Sequence, residues 1–248
     1  MIEKRSLKIV FIKILVATHK LYTMPNEDIY LPIHVGREGK ENLGYQGDNT
    51  GQNISTKNDN YSELTALYWA WKNLDADYVG LCHYRRYFTS KGRIRQKIYK
   101  NEKFKLILSK DEIERAFKEY EIIVPKEYYL GGDTVWAHYN KFHNIEDLEN
   151  VKKIIKNKYP EYMSEFEEVM SKKEIYAYNM FITDKKSFND YCEWMFNILF
   201  ELEANTDITS YDSYQKRIYG FISERLFNVW LLKHKLKKKT VNVINMEL

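Results

Sequence analysis

The 248-residue chain carries 39 Lys and Arg against 35 Asp and Glu, with 44% apolar and 15% aromatic residues and two cysteines. Folding a chain of this length hides roughly 70–75% of its extended surface, so one large domain spanning 1–248 is expected, and the composition excludes a disordered, collagen-like or disulfide-stapled polypeptide. No stretch approaches the roughly 18 uninterrupted apolar residues of a membrane span, and Cys82 and Cys192 stand in apolar surroundings with no metal-ligand spacing, which fits a reducing, cytoplasmic compartment.

Met1 to Val16 has basic residues ahead of an apolar stretch, but Lys13 interrupts it and no small-residue cleavage site follows. It reads as a first strand and not as a signal. Lys13–Thr18 is the short apolar run of a buried parallel strand. Thr18-His19-Lys20 then falls at a strand's end, where open α/β sheets bind ligands. Met24 to Asn60 turns to Gly, Asn, Asp, Pro and Ser, a long irregular stretch of the kind that is usually functional or mobile. Asn60-Tyr61-Ser62-Glu63 can cap a helix that continues through Leu64, Leu67, Tyr68 and Trp71 to Asn73.

A second buried strand, Tyr78–Cys82, runs straight into His83-Tyr84-Arg85-Arg86-Tyr87-Phe88. Arg93–Phe104 is basic and unpatterned and is expected as a surface loop. A helix over Asp111–Tyr120 and a third strand over Glu121–Pro125 follow. Gly131-Gly132-Asp133 marks a turn ahead of Trp136, His138 and His143, and Asp147–Lys156 has a helical period. A strand over Tyr178–Ile182 leads into an aromatic helix over Phe188–Glu203, and the last helix covers about Phe221–Lys235. This alternation predicts an α/β domain with a mostly parallel central sheet flanked by helices and a helical C-terminal part. The basic run Lys233–Lys239, opening a tail over 233–248, reads first as solvated charge closing the last helix and second as a contact for anionic lipid. Nucleic acid is not an expected partner, because neither a broad basic stripe nor a known module is present.

The sharpest chemical feature is His83-Tyr84-Arg85-Arg86 after a buried strand. Two adjacent guanidiniums repel, so a fold tolerates them when an anion or acidic side chains balance them. Arginine's planar fork suits phosphate oxygens and His83 adds a further donor; pairing with Glu63 or Asp77 is the alternative. Neither the dinucleotide fingerprint nor the Walker pattern occurs, so a diphosphate would have to be held by side chains. His138 and His143 are five apart, off the helical metal-ligand spacing, so no zinc site is expected.

The order of elements resembles the GT-A class of nucleotide-sugar glycosyltransferases, in which a helix and a strand deliver an Asp-x-Asp motif to a metal and the diphosphate. Here His83-Tyr84-Arg85 stands in that position, which puts metal dependence in doubt. More specifically, four blocks look like a family of bacterial capsule and exopolysaccharide glycosyltransferases first catalogued as a domain of unknown function, with galactofuranosyltransferase members. They are Glu63–Asn73, Asp77–Phe88, Tyr178–Ile182 and Gly220–Leu226. The resemblance runs from Ile14 to about Leu232. It implies a single GT-A-like glycosyltransferase domain, with a nucleotide-binding half over about 10–125 and an acceptor-side half over about 126–235.

On this resemblance the expected activity is transfer of a hexose, galactofuranose among the candidates, from a UDP-sugar to a lipid-linked or oligosaccharide acceptor at the inner face of the membrane. No resident cofactor or metal is expected. His83, Tyr84, Arg85 and Arg86 are candidates for the diphosphate, and Thr18, His19 and Lys20 for the nucleotide. Asn49 and Asn53 would bind ribose or sugar. The catalytic base is Glu224 or, in competition, Asp133, and Trp136, His138 and His143 would meet the acceptor. A non-catalytic carbohydrate- or nucleotide-binding module and a phosphoester hydrolase remain as alternatives.

Overall fold

A computed structural model of the protein describes residues 10–247; the basic beginning of the Met1–Val16 stretch and the final residue of the 233–248 segment lie outside them. The strands are β1 (Ile12–Thr18), β2 (Tyr30–His34), β3 (Gln46–Gly47), β4 (Tyr78–His83), β5 (Arg86–Thr89), β6 (Ile122–Pro125), β7 (Tyr128–Tyr129), β8 (Glu174–Ile175), β9 (Phe181–Asp184) and β10 (Lys238–Asn245). The helices are α1 (Asn58–Tyr61), α2 (Leu64–Asn73), α3 (Arg93–Ile98), α4 (Lys110–Ala116), α5 (Val135–Phe142), α6 (Ile145–Lys158), α7 (Met163–Ser171), α8 (Lys185–Ala204) and α9 (Ile218–His234).

Strand alternation sorts the core into two layers, one on each face of the sheet. Ile14 and Val16 join a layer with Cys82, Tyr87, Ile123 and Ile182. Their neighbours Leu15 and Ala17 join the larger layer with Leu81, Val124, Phe181 and the apolar faces of α2, α6, α7, α8 and α9. Both thiols are free and fully buried, and burial pushes their pKa values up, so they act as small apolar side chains.

The parallel expectation holds for the first half of the sheet, where β3, β2, β1 and β4 run side by side and parallel. It fails beyond β4. There β9 pairs antiparallel with β4, β6 antiparallel with β9, and β10 parallel with β6 and antiparallel with β5. The single pairing His83↔Arg86 then returns β5 to β4, closing a small barrel-like ring in which only the β6–β10 contact is parallel. The physical reason is that every residue of β6 and the first three of β9 are buried. A strand covered on both faces gives the same continuous apolar run whichever way it points.

The 233–248 segment is not a tail. Lys235 ends α9 in the left-handed region at φ 52°, and the chain turns into β10, an inner strand between β5 and β6. The lysines of that run are held locally: Lys237 Nζ is 3.4 Å from Glu119, and the ammonium groups of Lys238 and Lys239 lie 5.5 and 4.9 Å from the rings of Tyr176 and Tyr120. Arg93–Phe104 is likewise no plain loop, since it contains the wholly unburied helix α3. Helix α5, which the sequence did not announce, starts where the Thr134 hydroxyl accepts from Ala137 N–H at 3.1 Å. The predicted cap of α2 is absent as a side-chain bond; Ser62 instead takes φ 52° and its carbonyl accepts from Asn58 Nδ2 at 2.8 Å. Among the described residues no helix is long and apolar enough to cross a membrane.

Gly80 leaves no room for a side chain between β4 and β9, since a Cβ there would lie 2.8 Å from Ile182 Cγ1 and 2.9 Å from the Phe181 carbonyl oxygen. Overpacking at a rigid site costs about 1–3 kcal/mol. Gly80→Ala is therefore expected to lower the denaturant midpoint at unchanged slope; a wild-type midpoint would show that the two strands separate freely.

Candidate functional site

The carboxyl ends of β1 and β4 open into a cleft of about 920 Å³ whose other walls come from the α1–α2 turn, α5, the residues between α8 and α9, and the start of α9. Four of the protein's six histidines line it: His19, His83, His138 and His143. Thr18, Tyr84, Arg85, Arg86 and Glu224 line it too, so most of the sequence candidates converge on one cavity.

At the end of β1 the buried Thr18 hydroxyl donates to the Lys20 carbonyl at 2.6 Å, folding the chain back and presenting His19. The His19 ring meets Tyr84 edge-on at 5.5 Å. Burial, then Lys20, Arg85, Lys40 and Arg217, depress its pKa. Lys20 itself is not part of the lining; its ammonium lies 5.2 Å from the Tyr84 ring centre.

Tyr84 and Arg85 form the tight turn from β4 to β5, which explains the adjacent arginines: Arg85 sits in the turn and Arg86 is the first residue of the next strand. Arg85 Nη1 is 3.1 Å from Glu247 in a half-exposed pair, and that hydrogen bond raises the Arg85 pKa. Arg86 makes no ion pair among the described residues, and its guanidinium lies 4.6 Å from the centre of the Tyr178 ring. Glu63 balances neither arginine, because its Oε1 accepts from Asn179 Nδ2 at 2.8 Å.

Tyr178 and Asn179 are consecutive left-handed residues, at φ 73° and 53°, where glycine is the usual occupant. Their backbone and side chains knit three elements together. The Tyr178 carbonyl accepts from His83 Nε2 at 2.8 Å, and the Tyr178 N–H donates to Glu224 Oε1 at 2.9 Å. A carbonyl can only accept, so Nε2 carries the hydrogen. Asn179, 1% exposed, donates to Glu63 and accepts from Ser223 Oγ at 3.1 Å.

Glu224 belongs to α9 and its side chain is 22% exposed. Its Oε2 accepts from Arg225 Nη1 at 3.1 Å. Burial raises its pKa against the pull of Arg225, and nearby Glu63 raises it further.

On the far wall, Gln215 Nε2 donates to the Phe142 carbonyl at 2.8 Å, which turns Gln215 Oε1 towards His143 Nδ1 at 3.3 Å. The His143 ring stacks on Phe221 at 4.1 Å and faces Tyr214 at 5.8 Å. Burial and Arg225 push its pKa down to about 4, so at neutral pH it is uncharged, with its Nε2 lone pair free of that hydrogen bond. His138 is depressed by the same two causes, and its Nδ1 is buried without a partner among the described residues.

Four sequence candidates besides Lys20 stand outside the cleft lining. Asn49 donates to Glu38 at 3.1 Å, and Asn53 closes its own turn between the Gly51 carbonyl and Ser55 N–H. Asp133 pairs with Lys141 at 3.3 Å, and Trp136 packs half-buried against the larger core layer. Conversely, Glu63, Tyr178, Tyr214, Arg217 and Phe221 line the cleft without having been singled out for it. Glu63, Tyr178 and Phe221 fall inside the blocks that carry the family resemblance, the one signal that pointed to them. Among the described residues no group of three or more His, Cys, Asp and Glu side chains is arranged to hold a metal ion.

Residues 13–235 match the model of a family described as a domain of unknown function, DUF4422. A solved structure described as the WbbM bifunctional glycosyltransferase in its apo form is similar to this chain, with 32% sequence identity and a TM-score of 0.84. The match covers 95% of this chain and 45% of that one, so the chain spans less than half the length of its solved relative. No curated protein matches it.

Proposed function

This chain belongs to the DUF4422 family, and from that membership together with the cleft we propose that it is a glycosyltransferase, moving a hexose from a UDP-sugar to a glycan acceptor in capsular or exopolysaccharide synthesis. Galactofuranose is the first sugar to test, and a lipid-linked glycan the first acceptor. The relative described as a bifunctional glycosyltransferase supports the reaction class. The observation that carries the reading is Arg86, a guanidinium without an ion pair among the described residues, in the same cleft as Glu224.

In this reading Arg85, Arg86 and His83 receive the negative charge that builds on the departing diphosphate. Thr18 and His19 face the nucleoside, and His138 and His143 the acceptor. Glu224 accepts the proton of the acceptor hydroxyl as its oxygen bonds to the anomeric carbon; the bond from that carbon to the phosphate oxygen breaks, and its electron pair leaves with UDP. An Asp-x-Asp metal site does not fit the residues present, because two guanidiniums would repel a divalent cation where that motif stands in GT-A enzymes.

A panel of UDP-sugars tests this. The true donor is expected to raise the thermal midpoint by mass action and to release UDP when acceptor is added, with most of the rate surviving a chelator. Binding with no sugar release under any acceptor condition would make the protein a binding module, and loss of activity that manganese restores would show that a metal supports the diphosphate after all.

A further inference from the structure

The α8–α9 connection closes one side of the cleft, bringing Lys216 and Arg217 to the lining. Nothing in the local sequence groups them with Arg85 and Arg86, which stand 130 to 132 residues earlier in the chain. Yet Arg85 and Arg217 both act on His19 and both depress it, so the two walls direct their charge into the same space.

Arg217 is aimed. Its Nε donates to Ser62 Oγ at 3.2 Å, and its guanidinium lies 5.6 Å from the centre of the Phe221 ring. Ser62 is itself held in the left-handed region at φ 52°. These contacts use Nε and one face of the guanidinium, and neither terminal nitrogen has an acidic partner among the described residues. The backbone behind it is tied as well: Lys216 N–H donates to the Asp212 carbonyl at 2.9 Å, and the Lys216 carbonyl accepts from Asn60 Nδ2 at 2.9 Å. Of the three acids in the lining, Glu63 is engaged with Asn179 and Glu224 with Arg225, and Asp59 forms no ion pair with Lys216 or Arg217 among the described residues. Cations held in place on two facing walls without counter-ions repel one another, and an anion between them relieves that cost.

We propose that Arg217, assisted by Lys216, is the second-wall ligand of the donor's diphosphate, gripping it across the cleft from Arg86. The inference rests on the glycosyltransferase reading and adds to it a residue from the acceptor-side half of the chain. It also makes donor grip depend on the α8–α9 connection, so the diphosphate itself helps hold that wall.

The test is calorimetric titration of the full chain with UDP and, separately, with uridine. Arg217→Ala is expected to weaken UDP binding by about 10- to 100-fold, the usual value of a charge-assisted hydrogen bond, while uridine binding and the thermal midpoint of the free protein stay as in the wild type. Arg217→Lys is expected to recover part of the loss. Unchanged UDP affinity in Arg217→Ala, alongside weakened binding in Arg86→Ala, would overturn this role and leave the proposed function standing. Equal losses for UDP and uridine would also overturn it, by showing a structural part for Arg217. Failure of the wild type to bind any nucleoside diphosphate would overturn both.

Discussion

Arg86→Ala is expected to cut sugar transfer by about 100-fold or more, the common cost of removing a donor aimed at developing charge. The effect should appear in kcat as well as in donor affinity, because the charge on the diphosphate is greatest as the glycosidic bond breaks. Arg85→Ala is expected to cost less. Arg85 already shares its charge with Glu247 at 3.1 Å and is 41% exposed, so solvent screens it, whereas Arg86 lies against the Tyr178 ring with no ion pair among the described residues. Steady-state UDP release measured for both variants checks the ranking; a wild-type rate for Arg86→Ala would remove the diphosphate from this wall of the cleft. The fold should survive both changes, because β5 is held by its backbone pairing to β10 from Arg86↔Asn245 to Thr89↔Asn242.

Where sequence reading succeeds and fails in this protein follows from what local pattern encodes. The apolar runs of β1 and β4 and the long aromatic α8 are legible because burial on a period of 2 or 3.6 is written into neighbouring residues. Strand direction beyond β4 is not, because Ile122–Pro125 and Phe181–Thr183 are buried without a break and a direction requires knowing what each strand pairs with. Lys233–Lys239 misleads for a related reason. The lysines are solvated as they look, with Lys235, Lys237 and Lys238 exposed, but Lys238 and Lys239 open an inner strand instead of closing the helix, and their ammonium groups lie over the Tyr176 and Tyr120 rings.

The candidate site is legible by its strand ends, since Thr18, His19 and His83–Arg86 stand where β1 and β4 stop. Its other wall depends on the chain returning from far away. The joint between the walls is invisible in sequence because Tyr178 and Asn179 occupy left-handed positions without a glycine to mark them. Their strain is supported by specific bonds to His83, Glu63, Ser223 and Glu224, so the turn holds His83 of β4, Glu63 at the N-cap of α2 and Glu224 of α9 in a fixed relation.

Glu224→Gln is expected to lower transfer by about 10²- to 10⁴-fold, the usual share of a positioned general base, while UDP affinity stays close to wild type. Glutamine can keep accepting from the Tyr178 N–H through its oxygen, so the left-handed turn is retained. Its amide nitrogen, however, would face Arg225 Nη1, which now donates to Glu224 Oε2 at 3.1 Å. Arg225 is 3% exposed and its Nε already lacks a partner among the described residues, so some loss of thermal stability is expected with the loss of activity. The pH profile separates the two effects. Burial, opposed by Arg225 and reinforced by Glu63, raises the Glu224 pKa, and a base works only when unprotonated. Wild-type kcat should therefore be full above that raised pKa and fall as pH drops through it, at a pH higher than an ordinary glutamate would give, and the falling limb should vanish from the residual activity of Glu224→Gln. If that variant keeps both its rate and its limb while Glu63→Gln loses them, the proton goes to the carboxylate held by Asn179, and the chemistry belongs to the N-cap of α2 instead of α9.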